Sequence, residues 1–239
     1  MWNWFPKPLD NKNTLPLPDG VIAVPNPRAR RMALRLDPVR KCVRLVYPPR
    51  TAASTLLKFV QANQRWIAHH LASLPQDFKV QNGASIPLLG VKTSLAITLD
   101  ETLKRTSIKL INNELIIKTN LDDPTPRLRR FLDKALLERL RILCAQKSDQ
   151  LGRPVINIQI RDSKSRWGSC GHDGRLCFSR RLVYVPENVL DYVVAHEIAH
   201  LKHMDHSDAF WSTCADLCVD YAGGKTWLKA HGASLHAYP

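Results

Sequence analysis

The stretch His196-Glu197-Ile198-Ala199-His200 decides how this chain is read. In an α-helix, residues four apart lie on one face, about one turn from each other. His196 and His200 therefore aim their imidazoles at a common point, and neutral imidazole is a good zinc ligand. Glu197 leans toward the same point from the side. It is placed to take a proton from a water at the metal without being a ligand itself. Leu190, Val193, Val194, Ala195, Ile198, Ala199 and Leu201 surround these residues with apolar side chains. That composition predicts a buried helix, opened by Pro186 and running from Glu187 to about His203, that walls the point off from water.

A five-residue pattern of this kind arises by accident in unrelated proteins, so it needs a third ligand. Two histidines follow, His203 and His206. His203 stays on roughly the same helical side, but three ligands on one straight helix do not easily surround a metal tetrahedrally. His206 comes after Met204-Asp205, where the helix should end. Ser207 then reads as the N-cap of a second helix through Asp208, Phe210, Trp211, Cys214, Leu217, Cys218 and Tyr221, closed by Gly223-Gly224. A turn between two helices lets His206 fold back. Pairing Cys170 with Cys177, or Cys214 with Cys218, makes a weaker case for a second metal, because the latter two fall on an apolar face as buried thiols do. No Gly-rich phosphate loop and no serine nucleophile elbow is present.

Upstream of this core, Leu128, Phe131, Leu132, Ala135, Leu136, Leu140, Leu143 and Cys144 predict a helix over about 127–150, stopped by Gly152 and Pro154. Strands are predicted over 155–160 and 176–184, and the stretch 176–182 offers an edge to which an extended peptide can add. Further back, Pro6, Pro8, Pro16, Pro18, Pro25 and Pro27 make residues 1–27 an extended lead-in. Residues 31–36 and 42–47 alternate around Asp37-Pro38 as a β-hairpin. Leu56, Val60, Asn63, Ile67 and Leu71 predict one helix, capped by Thr51 or Ser54 and ended by Pro75. Strands are expected at 94–99, 108–111 and 114–119, the last two joined by an Asn112-Asn113 turn. Asp122-Asp123-Pro124-Thr125-Pro126 breaks the pattern. The expected organisation is therefore α+β: lead-in 1–27, β-rich region 28–125 with one helix, and a site-bearing region 126–239.

With 239 residues and 44% hydrophobic content, the chain can bury a real core. No run approaches the ~20 apolar residues of a membrane helix, so no membrane partner is expected. The N-terminus lacks a signal-peptide pattern, and six thinly spread cysteines fit reduced thiols in a cytoplasm. An excess of 35 Lys and Arg over 21 Asp and Glu, a net +14, favours an anionic partner such as nucleic acid or nucleotide.

Arg166-Trp167-Gly168-Ser169-Cys170, then His196-Glu197-Ile198-Ala199-His200, then Asp205-His206-Ser207-Asp208-Ala209-Phe210-Trp211 closely resemble the YgjP-like metallopeptidase family, related to SprT-like zinc peptidases. The resemblance extends to Arg30-Arg31-Met32 and Trp66-Ile67. It implies a zincin-like catalytic domain with a small sheet and the 196–200 motif on its active-site helix. It implies one Zn2+ per chain on His196, His200 and His206, Glu197 as catalytic base, and a peptide or protein substrate. Where the family has Asn-Trp-Arg-Leu, this chain has Ser179-Arg180-Arg181-Leu182. If that segment touches substrate, Arg180 in place of Trp shifts preference toward anionic groups. Arg166 is expected to orient a carboxylate or bind substrate, and Trp167 to wall the cleft, with Gly168 allowing a tight bend. Two further readings keep the metal: a hydrolase of nucleoside triphosphates or phosphate esters, and a basic DNA-associated module with a structural zinc.

Overall fold

The computed structural model describes residues 15–74 and 76–239, which gather into two compact units, one formed by residues up to 75 and one by Gln76–Pro239. Residues 1–14 of the expected lead-in, and the expected helix stop at Pro75, lie outside the described residues.

In the first unit, β1 (Val21–Pro25), β2 (Ala33–Asp37) and β3 (Cys42–Tyr47) form a sheet in the order β1-β3-β2. β2 and β3 are the expected hairpin, with Ala33 opposite Val46 and Asp37 opposite Cys42. Val21–Pro25, expected as part of the lead-in, instead pairs in parallel with β3. Its one proline, Pro25, does not prevent this, because an edge strand needs only half its donors. The single helix expected next is two, α1 (Ala53–Ala62) and α2 (Gln64–Ala72). Asn63 breaks it by turning its side-chain amide onto the Phe59 carbonyl at 2.8 Å, the local competition for backbone groups that makes Asn a poor helix interior residue. Neither expected N-cap is used: Ala52 caps α1, and the Thr51 hydroxyl donates to the Pro48 carbonyl at 2.7 Å. Val43, Leu45, Leu56, Val60 and Ile67 close this unit's core.

The second unit opens with β4 (Ser85–Leu88), β5 (Val91–Leu99), β6 (Ser107–Ile111) and β7 (Glu114–Thr119), ordered β4-β5-β7-β6. Asn112 and Asn113 both have positive φ, 48° and 61°, which is the twist a tight hairpin turn requires. Helix α3 (Thr125–Leu151) follows and ends at Gly152, whose φ of 67° is the left-handed cap predicted for it. Leu128, Leu132, Leu136, Leu140 and Leu143, spaced by three or four, are each at most 4% exposed. They share one core with Ile86, Leu88, Leu95, Leu115 and Ile117 of the preceding sheet. The break expected near 122–126 is thus a helix start inside this unit, and the sheet before it packs with the helices after it.

A second sheet, ordered β8-β10-β9, comes from β8 (Asn157–Arg161), β9 (Gly168–Cys170) and β10 (Arg175–Ser179). The strand expected to reach residue 184 ends at Ser179 and continues as a 3-10 turn, Arg180–Tyr184. Four consecutive buried residues, Arg181, Leu182, Val183 and Tyr184, do not fit a strand, where successive side chains face opposite ways. β10 is the central strand, paired with β8 on one side and β9 on the other. The peptide-binding edge expected over 176–182 is therefore occupied, and the free edges belong to β8 and β9.

Helices α4 (Glu187–Ala199), α5 (Asp208–Leu217) and α6 (Tyr221–His231) complete the unit. Gly223 and Gly224 were expected to stop α5, but they lie within α6. A Cβ on Gly224 would come 2.5 Å from the Cβ of Tyr192 on α4. The glycine lets two helices touch, a role that local sequence does not distinguish from a stop signal. Gly224→Ala should wedge them apart at roughly 1–3 kcal/mol. That outweighs the better helix propensity of alanine, and a lowered denaturant midpoint would show it. No helix among the described residues is long and apolar enough to cross a membrane.

Candidate metal centre

Helix α4 is apolar around most of its circumference, with Val189, Leu190, Val194, Ala195, Ile198 and Ala199 fully buried. Such a helix belongs in a core, and its last turn carries His196 and Glu197 into it. The helix stops at Ala199, earlier than the expected His203, with His200 as its C-cap. The chain then tightens: the amides of Lys202 and His203 both donate to the Ala199 carbonyl, at 3.1 and 3.0 Å. This turn brings the His203 carbonyl within 2.9 Å of His200 Nδ1. Because a carbonyl only accepts, that nitrogen carries the proton, and His200 Nε2 is left with a free lone pair.

A second turn returns His206. Asp205 accepts from the Ser207 hydroxyl at 2.8 Å and its amide at 3.3 Å, and Ser207 then caps α5. His206 Nε2 consequently sits 3.2 Å from His196 Nε2. One ligand nitrogen from each of His196, His200 and His206 lies within 4.8 Å of the others, while the His203 ring is outside this group. Phe210, fully buried on α5, packs against all three imidazoles at centroid distances of 4.9, 4.5 and 4.8 Å.

The electrostatics suit a cation. Burial pushes His196 down to about 4, helped by His200 and His206, so its ring is neutral and able to ligate. His200 is lowered too, chiefly by burial. The Nε2 atoms of His196 and His206, 3.2 Å apart, belong to the donor set a divalent ion would satisfy. Nδ1 of His196, on the far side of its ring, is buried without a hydrogen-bond partner among the described residues. Burial raises the Glu197 carboxyl to about 8, and the Arg166 charge draws it part of the way back. No other group of three or more His, Cys or acidic side chains converges in this way among the described residues.

β9 forms the opposite wall. A Cβ on Gly168 would lie 2.6 Å from Glu197 Cγ and 2.7 Å from Cδ, and would meet Oε1 as well. Gly168 is thus a strand residue that lets backbone touch a carboxylate, rather than the bend expected of it. Arg166, two residues earlier, is exposed. Trp167 is half-buried; its carbonyl accepts from the Ser179 amide at 2.8 Å and its ring tilts against His236. Ser179 is buried, with its hydroxyl 3.5 Å from the Ser163 carbonyl. Arg180 turns to α3, where Nη2 meets Asp133 Oδ2 at 2.8 Å. Among the residues expected at the site, then, the structure gathers His196, His200 and His206, with Glu197 next to His196 on α4 and Arg166 two residues from the Gly168 that meets it, while the Trp167 ring lies against His236. Ser179 and Arg180 bond elsewhere. Phe210 and Trp211, expected as helix residues and as part of the family motif but not as site residues, line the centre, and Lys225, for which no role was expected, lies over the Trp211 ring at 4.2 Å. Their aromatic and cationic character was visible in the sequence, but their meeting was not.

Three converging imidazoles beside a buried carboxylate fit the class of metal-dependent hydrolases. Residues 30–231 match the YgjP-like metallopeptidase domain, and the chain belongs to that family. No curated protein and no solved structure matches it.

Proposed function

We propose that this protein is a zinc-dependent peptidase holding one zinc on His196, His200 and His206, with Glu197 as its general base. The observation that supports this most directly is the meeting of three imidazole nitrogens within 4.8 Å beside a 5% exposed Glu197. When bound, zinc supplies Lewis acidity, bringing the pKa of a water to about 7 and polarising a carbonyl. The protein's own groups do the rest. Glu197 accepts the proton of the attacking water and passes it to the leaving amine, and a carboxyl raised toward neutrality is suited to both halves of that task. The His203 carbonyl fixes the His200 tautomer. Phe210 and the apolar body of α4 keep solvent out. The free edge of β9, next to Glu197, offers backbone groups to an extended peptide by strand addition. The catalytic region is residues 126–239, seated on the sheet of residues 85–119.

The test offers zinc-loaded protein both unfolded polypeptide and nucleoside triphosphates, with products read by mass spectrometry. Peptide fragments that vanish with Glu197→Gln are the expected result. Phosphate or pyrophosphate release with the polypeptide left intact contradicts the proposal.

A further inference from the structure

Several cations of this unit are paired with carboxylates. Arg180 is held by Asp133, Arg181 by Asp162, Arg175 by Asp173, Arg139 by Glu187 and Lys147 by Asp191. Two that border the centre are different. Lys225 stands on α6, next to the Gly224 that brings α6 onto α4. Its ammonium sits 4.2 Å above the Trp211 ring. That ring is itself 5.8 Å from the imidazoles of both His196 and His206. The cation–π contact fixes the charge in place without using up its capacity for an anion. Arg166 lies two residues before the Gly168 that touches Glu197. Neither cation has a hydrogen bond or a carboxylate partner among the described residues.

Two cations bordering one centre, one of them held over an aromatic ring that lies beside the histidines, set a local potential that favours negative charge. Within a peptide the available anion is a carboxylate, which arginine binds with two parallel donors and lysine with one. We propose that Lys225 and Arg166 read acidic side chains of the substrate, so that the enzyme selects peptides with Glu or Asp close to the cleaved bond. This rests on the peptidase reading above.

The experiment uses quenched fluorescent peptides identical except for Glu or Gln at each position flanking the scissile bond. It is paired with calorimetric binding of the same peptides to zinc-loaded Glu197→Gln protein. The Glu peptides should be preferred about tenfold in kcat/KM and in affinity. Lys225→Gln or Arg166→Gln should each cut that ratio about fivefold, as should raising the salt to about 0.5 M, whereas Lys118→Gln on β7 should leave it unchanged. Equal cleavage of Glu and Gln peptides overturns this inference and leaves the peptidase reading standing. Acid-dependent binding with no cleavage supports the cationic subsite and refutes the peptidase reading. Neither binding nor cleavage refutes both. Nucleoside triphosphate binding that replaces peptide binding and is lost in Lys225→Gln overturns the choice of peptide.

Discussion

Glu197→Gln should remove hydrolysis, by about 10³-fold in kcat/KM, while zinc stays at about one per chain. The substitution keeps the shape and packing of a side chain that is only 5% exposed, and takes away its ability to accept a proton. Glu197 does not belong to the converging nitrogens, so the ion should not notice the change. Loss of activity with metal and thermal midpoint preserved separates a proton-transfer role from a structural one. Undiminished turnover would mean that the proton goes elsewhere and that the carboxylate sits beside the histidines for another reason.

Gly168→Ala is the second large effect, and it reaches the same carboxylate from the backbone side. The new methyl would press on Glu197 at 2.6 Å from Cγ and 2.7 Å from Cδ. Glu197 cannot swing away into solvent, because the packing of α4 encloses it. Overpacking of this kind costs roughly 1–3 kcal/mol of stability. A general base displaced by about an ångström loses on the order of 10²-fold in rate. Zinc content should be unchanged. A variant as active as the parent would show that contact with β9 does not orient Glu197.

The two variants also mark how far the sequence carried the account. Helix α4 was legible because its apolar residues, its proline start and its two histidines all obey one helical period. His206 was legible in part, since Ser207 announces a new helix and therefore a turn that brings the chain back. What escaped were contacts between segments distant in sequence. Gly168 and Gly224 look like a bend and a stop, whereas each marks a place where another element comes too near for a side chain. The same is true of the Asp122–Pro126 break: its prolines signal a helix start truthfully, but nothing local says that Leu95, Leu115 and Ile117 share one core with Leu132 and Leu136 beyond it. Arg180 drew attention by its departure from the family pattern, and its pairing with Asp133 depends on α3 lying alongside. Lys225 carried no signal at all, because its significance comes from Trp211 below it.

In the proposed site, three histidines from the end of α4 and the turn after it hold one metal. Elemental analysis of the purified protein and its single alanine variants checks this. About one zinc per chain is expected in the parent and in His203→Ala, whose backbone carbonyl still orients His200. Far less than one is expected in His196→Ala, His200→Ala and His206→Ala. Full zinc retention in His206→Ala, or its loss in His203→Ala, would contradict the site described here.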